Sequence, residues 1–357
     1  MIVPRPYSRL NILKINFSRR YSRTMGSVNL KKAQPVDPLA IQPIRPSSSV
    51  VLVSPVNQIL LLHRVRTSTS FASAHVFPGG NIDQGQDGQL PKDAIQLHQD
   101  SLVYRLAAIR ECFEESGILL AKSKTGEGII QLPNSTLQKA RHQIHEQKIN
   151  FLLWLEEIGA HADTDGLVPF TRWVTPIGAK RRFTTQMYLY FMPLSSPAGS
   201  AHNVPTTDGG MEHTEVRFDD ASNWIQAASK NEIMLFPPQI YLLSHIAKYL
   251  TGLEGVTVKD RPEAIMKQRR NLAAFLHRLQ DGTDDCAKTS WAEKVISPMT
   301  SGKLPDGRVI MTLDSPGPEL KTAGRHGDRE QVVIAKFTRD GVSSVEVQKR
   351  QDVTSKL

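Results

Sequence analysis

Apolar residues along this chain fall into short runs that alternate with stretches of helical spacing. Residues 50–54 and 59–64 are rich in β-branched and aliphatic side chains and flank Pro55-Val56-Asn57-Gln58, the signature of a hairpin. Val76 and Phe77 lead into Pro78-Gly79-Gly80, a sharp turn, and a polar loop rich in glycine and glutamine follows to about residue 98. From 101 to 116 the period changes. Leu102, Leu106, Ile109, Cys112 and Phe113 recur at helical intervals, with Ser101 placed to cap the start and Gly117 to stop the end.

Residues 118–121 read as a short strand. Residues 136–159 read as one helix with Ile144, Ile149, Leu152, Leu153 and Leu155 along its apolar face. Strands follow at 167–175, 185–192 and 216–218, the last before a helix near 219–229. Pro237-Pro238 opens another helix, since proline is tolerated in a first turn, and 262–280 reads as one more. Residues 332–337 and 342–347 form a hairpin pattern around Arg339-Asp340-Gly341. There is no internal repeat, and strands interleaved with helices predict an α/β or α+β layered fold. No apolar run reaches eighteen residues, so no membrane-spanning helix is expected.

The 357 residues are 39% hydrophobic, enough for one large domain with extensions. The net charge of +9 suggests nucleic-acid binding only until it is located. Arg5, Arg9, Lys14, Arg19, Arg20, Arg23, Lys31 and Lys32 crowd into the first 32 residues, which hold no acid. Without those eight, 36 basic residues face 35 acidic ones, a net of +1, so the body carries no field for DNA or RNA. The basic, Ser-rich, acid-free segment has the composition of a mitochondrial presequence, and Arg19-Arg20-Tyr21-Ser22 resembles a matrix-protease site. The chain closes on Ser355-Lys356-Leu357, a peroxisomal import tripeptide read by a receptor. Initiation at Met25 would remove most of the presequence and reconcile the two labels. Two cysteines, Cys112 and Cys286, make neither a disulfide framework nor a zinc cluster and fit a reducing compartment. The expected plan is a targeting segment at 1–32, a proline-rich linker at 33–47, a main domain at 48–255 with a loop insertion at 81–99, a C-terminal extension at 256–354 and the tripeptide at 355–357.

Chemistry concentrates in Arg110-Glu111-Cys112-Phe113-Glu114-Glu115-Ser116-Gly117-Ile118. On a helix, Glu111, Glu114 and Glu115 share one face. Acidic helix faces usually meet water. Here the opposite side is a well-formed apolar stripe, and a Pro-Gly-Gly turn able to bring a backbone carbonyl close precedes it. Three crowded carboxylates suit a hard divalent cation. Arg110, four residues before Glu114, is placed to orient one of them.

These residues resemble the second half of the Nudix box, G-x5-E-x7-R-E-U-x-E-E-x-G-U with U apolar, at every specified position. Gly80 resembles its opening glycine. Gly80 and Arg110 are thirty positions apart where the box has fourteen, which implies a sixteen-residue insertion. The first glutamate of the box falls on Leu102, so that acid is missing or displaced, with Asp83 and Asp100 as candidates. The segment Phe77-Pro78-Gly79-Gly80, the long insert and Ala107-Ala108-Ile109-Arg110-Glu111 are similar to the Nudix-19-like branch of mitochondrial and peroxisomal hydrolases. So are Trp173-Val174-Thr175-Pro176, Arg182-Phe183-Thr184-Thr185 and residues 208–218, and the resemblance covers about residues 48–250.

The resemblance implies an α/β/α sandwich with a mixed sheet, helical insertion and an α+β C-terminal extension. It implies a Mg2+- or Mn2+-dependent diphosphatase. Glu111, Glu114 and Glu115 would hold the metal with a carbonyl of Gly79 or Gly80, and Glu212 or Glu215 would supply a further carboxylate. Coenzyme A or an acyl-CoA, cleaved to 3′,5′-ADP and (acyl-)phosphopantetheine, is the expected substrate. NADH, ADP-ribose, a nucleotide sugar, or a non-catalytic nucleotide-binding module are the alternatives. A related CoA-cleaving branch carries L-L-T-x-R-(S/A)-x3-R-x3-G before the F-P-G-G. This chain keeps Leu60, Leu61 and Arg64 of it but has Leu62, Val65, Thr69 and Ser73 at the other specified places. Phe77, Arg64, Arg66, Lys180, Arg181 and Arg182 are the expected substrate contacts, the basic ones through charge-assisted bonds to phosphate.

Overall fold

The first two apolar runs become neighbouring strands. β1 (Ile44–Val53) turns into β2 (Ile59–Arg64) with Val53 opposite Ile59. Asn57 in the turn adopts φ 66°, a left-handed conformation that asparagine tolerates better than most residues. The computed structural model describes residues 42–68, 72–126, 128–194, 204–210, 212–279, 288–339 and 341–354, all in one compact unit. The basic N-terminal segment, Cys286 and the C-terminal tripeptide lie outside the described residues.

β1 takes in residues 44–47, which the proline spacing assigns to a linker. Pro46 is tolerated there: it lacks an N–H, but its carbonyl accepts from Ile82 N–H at 3.1 Å. β3 (His75–Val76) returns beside β2, and β4 (Gly79–Asn81) beside β1. After a long loop comes α1 (Leu102–Ser116), closed by Gly117 at φ 76°. β5 (Ala121–Ser123), α2 (Asn134–His145), α3 (Phe151–Glu157) and β6 (Ala160–Ala162) follow, with β5 and β6 paired. Next come β7 (Val168–Val174), β8 (Arg182–Phe191), β9 (His213–Asp219), α4 (Ala221–Ser229), α5 (Pro237–Ile246) and α6 (Arg261–His277). The last stretch adds β10 (Val295–Ile296), β11 (Met299–Lys303), β12 (Val309–Leu313), β13 (Asp328–Thr338), β14 (Gly341–Lys349) and α7 (Arg350–Thr354).

The main sheet runs β10-β7-β8-β1-β2-β3, with β4 also on β1 and β9 also on β2. It is mixed: β1 is parallel to β8 and antiparallel to β2. Alternate residues of its central strands enter two separate cores. Val50, Leu52, Leu60, Leu62 and Tyr188 pack under α1, α2 and α3. Val51, Val53, Ile59, Leu61 and Leu189 pack under α4, α5 and α6. Each such side chain contributes ~2 kcal/mol on burial, so the unbroken runs at 50–53 and 59–62 require layers on both faces. The architecture is the expected α/β layering around a mixed sheet.

Three local expectations are corrected. Leu102 is 60% exposed, because the first turn of α1 projects beyond the sheet it covers. The helix expected over 136–159 is two helices: Gln147 takes φ 57°, and Asn150 restarts the chain by accepting from Leu153 N–H at 3.0 Å, leaving Leu153 61% exposed. The strand expected at 118–121 starts only at Ala121, after a buried irregular stretch.

The C-terminal extension is α+β, as expected, and is bound into the same body. β10 joins the main sheet, while β11 to β14 form a separate antiparallel sheet. From α6, Arg269 donates to Asn57 Oδ1, Met192 O and Ser54 O at 2.7–2.8 Å. Tyr241 donates to Asp328 Oδ2 at 3.0 Å, linking α5 to β13.

Candidate active site

The amphipathic pattern of α1 turns its Glu face toward the β4 turn. Two glycines make the approach possible. A Cβ on Gly79 would sit 2.3 Å from Ser48 O, and one on Gly80 would sit 2.5 Å from the Glu111 carboxyl carbon. The turn is pinned to β1, where Ser49 Oγ donates to Pro78 O at 2.7 Å. Gly79 N–H then donates to Glu115 Oε2 at 2.7 Å.

Arg110 organises the remaining acids from a nearly buried position, 4% exposed. It donates to Glu111 Oε1 at 2.9 Å, to Glu114 Oε1 at 2.8 Å and to Asn81 O at 3.2 Å. Its other edge grips Asp87, from Nε to Oδ1 and from Nη2 to Oδ2, both at 2.8 Å. Asp87 comes from the inserted loop, folded back so that its N–H meets Asp83 O and its Oδ2 accepts from Asp83 N–H. The displaced acid partner of Arg110 is therefore Asp87. Asp83 closes that turn and accepts from Gln147 Nε2 at 3.2 Å, and Asp100 pairs with Arg105 at 2.6 Å and with the Tyr188 hydroxyl.

A second element arrives from the segment before β9. Arg141 on α2 donates to Glu114 O at 2.6 Å, to Thr206 Oγ1 at 3.0 Å and to Thr207 O at 2.9 Å, which ties this segment to the end of α1. Asp208 then accepts from the N–H of Gly210 and of Glu212 at 3.0 and 2.8 Å. Glu212 lies 3.3 Å from Arg64. His213, wholly buried, lies 3.6 Å from Glu115 Oε1 and 3.4 Å from Asp208 Oδ2, beyond ordinary hydrogen-bond length. Ligand atoms of Glu115, Glu212 and His213 all fall within 4.8 Å of one another.

Six carboxylates (Asp87, Glu111, Glu114, Glu115, Asp208, Glu212) thus gather around three guanidiniums (Arg64, Arg110, Arg141). Burial pushes Glu111 up to about 7 against the pull of Arg110, and burial with the neighbouring Glu111 pushes Glu115 well above the usual carboxylate range. Burial and Arg64 push His213 down to about 4, so it is neutral. Buried carboxylates so short of positive charge, facing a neutral imidazole, form a donor set that fits a divalent cation.

The remaining sequence candidates separate. Arg64 reaches the site. Phe77 is 2% exposed and packs in the core on the α4 side, so it offers no surface to a ligand. Arg182 is 1% exposed and ion-paired with Glu319 at 2.6 Å, a bond that holds the extension to β8. Lys180, Arg181 and Arg66 are exposed. The first two precede the start of β8, where Arg182 pairs with Ile44, five residues along β1 from Ser49, the partner of Gly79. At ~3.3 Å per residue that is ~17 Å from the turn. Glu215 is exposed, paired with Arg217 at 3.0 Å, and on the face turned away from α1. Asp87, Asp208, His213 and Arg141 are the site residues that sequence reasoning did not single out.

Residues 85–246 match the family model for the NUDT19 Nudix domain. A nudix hydrolase of Caenorhabditis elegans is 26% identical over 206 residues, 57% of this chain and 61% of that protein. The acyl-coenzyme A diphosphatases NUDT19 of Gallus gallus and Homo sapiens are 25% and 27% identical, over 54% and 45% of this chain and 61% and 41% of those proteins. The match thus spans at most about three fifths of these relatives. A solved NUDIX hydrolase from Alicyclobacillus acidocaldarius aligns with TM-score 0.46 and 19% identity over 58% of this chain and 92% of its own.

Proposed function

The chain is a Nudix protein of the NUDT19-like group, and from that premise we propose that it hydrolyses the diphosphate of coenzyme A or an acyl-CoA, with Mg2+ or Mn2+ bound at the carboxylate cluster. The observation that carries this reading is the packing of Glu111, Glu114 and Glu115 against the Gly79-Gly80 turn, the last two buried, with Glu212 and His213 brought to the same place at the start of β9. A buried acidic cluster of this kind is costly unless a cation compensates it. Glu115, Glu212 and Glu111 would hold the ion, with a carbonyl of the Gly79-Gly80 turn. When bound, it supplies charge neutralisation on the diphosphate oxygens and makes a water more acidic.

The rest is performed by the chain. Arg110 keeps Glu111 and Glu114 in fixed orientations and engages an oxygen of each. Gly79 N–H does the same for one oxygen of Glu115. An oxygen of Glu115 or Glu212 that the ion leaves free would take the proton as water attacks phosphorus and the bridging P–O bond breaks. Arg64 is the cation placed to meet a substrate phosphate, since it is partly exposed beside Glu212. Import to peroxisomes through Ser355-Lys356-Leu357, or to mitochondria through residues 1–32, belongs to the same proposal, because both compartments handle acyl-CoA.

The test is incubation of purified protein and Mg2+ with CoA, acetyl-CoA, dephospho-CoA, NADH and ADP-ribose, with product identification. Release of 3′,5′-ADP together with phosphopantetheine is expected. Cleavage of NADH or ADP-ribose with a tenfold higher kcat/KM than CoA would move the substrate assignment and leave the hydrolase assignment standing.

A further inference from the structure

On the face of the sheet turned away from the carboxylate cluster, three residues with metal-binding side chains stand in one row. β3, β2 and β9 lie side by side, and their register sets His75 opposite His63 and His63 opposite Glu215. The two imidazoles stack with centroids 4.6 Å apart and planes 16° from parallel. One ligand atom from each of the three residues lies within 4.8 Å of the other two. This row is distinct from the Glu115, Glu212 and His213 group, because alternate residues of a strand face opposite ways. Leu61 and His63 look toward α4, and Leu62 and Arg64 look toward α1.

Packing alone does not account for the row. His75 is 6% exposed, and its Nδ1 has no hydrogen-bond partner among the described residues. Leaving such a group unpaired is costly, and an apolar aromatic ring in the same place would avoid that cost. His63 is held from outside: its Nδ1 lies 2.8 Å from Thr214 Oγ1, which fixes the ring and leaves its other nitrogen for another partner. Glu215 is exposed, so the row is open to solvent at that end.

We propose that His63, His75 and Glu215 bind a divalent metal of the zinc class at a second site, separate from the carboxylate cluster. Imidazole nitrogens favour Zn2+, Ni2+ and Cu2+ and serve Mg2+ poorly, so the two sites select different ions. Two imidazoles and a carboxylate supply three of four tetrahedral positions and leave one for water. The ion would tie together β3, β2 and β9. Arg64 ends β2 and His213 begins β9, so the second site braces the edge of the first.

Zinc titration into chelator-stripped full-length protein in excess Mg2+, followed by calorimetry and thermal melting, tests this. Wild type is expected to bind one zinc that Mg2+ does not displace and to melt at a higher temperature with it. Glu115→Gln should keep that zinc and its melting shift. His63→Gln and Glu215→Gln, at half-buried and exposed positions, should each weaken zinc binding at least tenfold and lose the shift. Wild-type zinc affinity in both of these variants would overturn the proposal, and so would loss of the zinc in Glu115→Gln, which would place it at the carboxylate cluster.

Discussion

Asp87 holds one edge of the Arg110 guanidinium with two bonds of 2.8 Å, although 23 positions, including the rest of the inserted loop, separate them. Both side chains are at most 5% exposed. Removing one partner of a buried pair leaves an uncompensated charge and typically costs ~3–5 kcal/mol. Asp87→Ala should therefore lower unfolding free energy by about 3 kcal/mol in denaturant titration. Asp87→Asn, which keeps one acceptor, should lose less. Turnover should fall in both, because Arg110 then pulls harder on Glu111 and Glu114. An Asp87→Ala protein within about 1 kcal/mol of wild type would show that the pair does not hold the loop.

Glu115→Gln separates catalysis from folding. The amide still accepts from Gly79 N–H, so the turn should keep its position. The negative charge is gone, however, and with it several kcal/mol of affinity for a divalent cation. Turnover should drop by at least about a hundredfold, and Mg2+ should no longer raise the melting temperature through linkage. A Mg2+-dependent melting shift equal to wild type in this variant would remove Glu115 from the metal site.

What could be read in the sequence was local. Glu111, Glu114 and Glu115 share a face because 3.6 residues make a turn, and the same arithmetic buried Ile109, Cys112 and Phe113. It failed at Leu102, where a correct period ran past the end of the sheet. Asp87 left no periodic trace, since the fold of a loop is set by what it meets, here a guanidinium on α1. Arg182 and Arg64 look alike as basic residues near β-strands. Only the extension decides between them, by bringing Glu319 from 137 positions away onto Arg182. His213 stood between the two glutamates that were named, but the register that buries it depends on an irregularity between His63 and Arg64.

His245 makes the fold sensitive to acid. Its ring is enclosed by Tyr241, Phe275 and Trp291, and neither nitrogen has a hydrogen-bond partner among the described residues. Burial, with Lys248 and Lys294 adding positive charge, pushes it down to about 3. The unfolded chain takes up a proton near pH 6.5 that the folded chain refuses. This histidine's contribution is thus intact above pH 6.5, and stability falls as pH drops from there toward about 3. The loss from this residue is about 2 kcal/mol at pH 5. His245→Phe should flatten the stability profile between pH 7 and 5 by about that amount, whatever its effect at pH 7. An unchanged slope would mean that the ring finds a proton acceptor on opening.

Arg64 and Arg182 should behave as opposites. Arg64 is partly exposed, lies beside Glu212 and borders the carboxylate cluster, so a substrate phosphate can reach it. A charge-assisted bond to phosphate contributes ~1.5–3 kcal/mol, or roughly ten- to a hundredfold in affinity. Arg64→Gln should therefore raise KM for CoA by about that factor while leaving the melting temperature close to wild type, since its pair with the solvent-accessible Glu212 adds little. If the 3′-phosphate is the group met, the loss should be smaller with dephospho-CoA. If the diphosphate is met instead, both substrates should suffer alike, and kcat should fall too. Arg182→Gln should do the reverse. It strands Glu319 and the Thr175 carbonyl beneath the extension, so unfolding should become easier by about 3 kcal/mol. KM for CoA, measured below the lowered melting point, should stay within twofold of wild type. A large KM effect from Arg182→Gln with unchanged stability would mean that the ion pair with Glu319 opens to admit substrate.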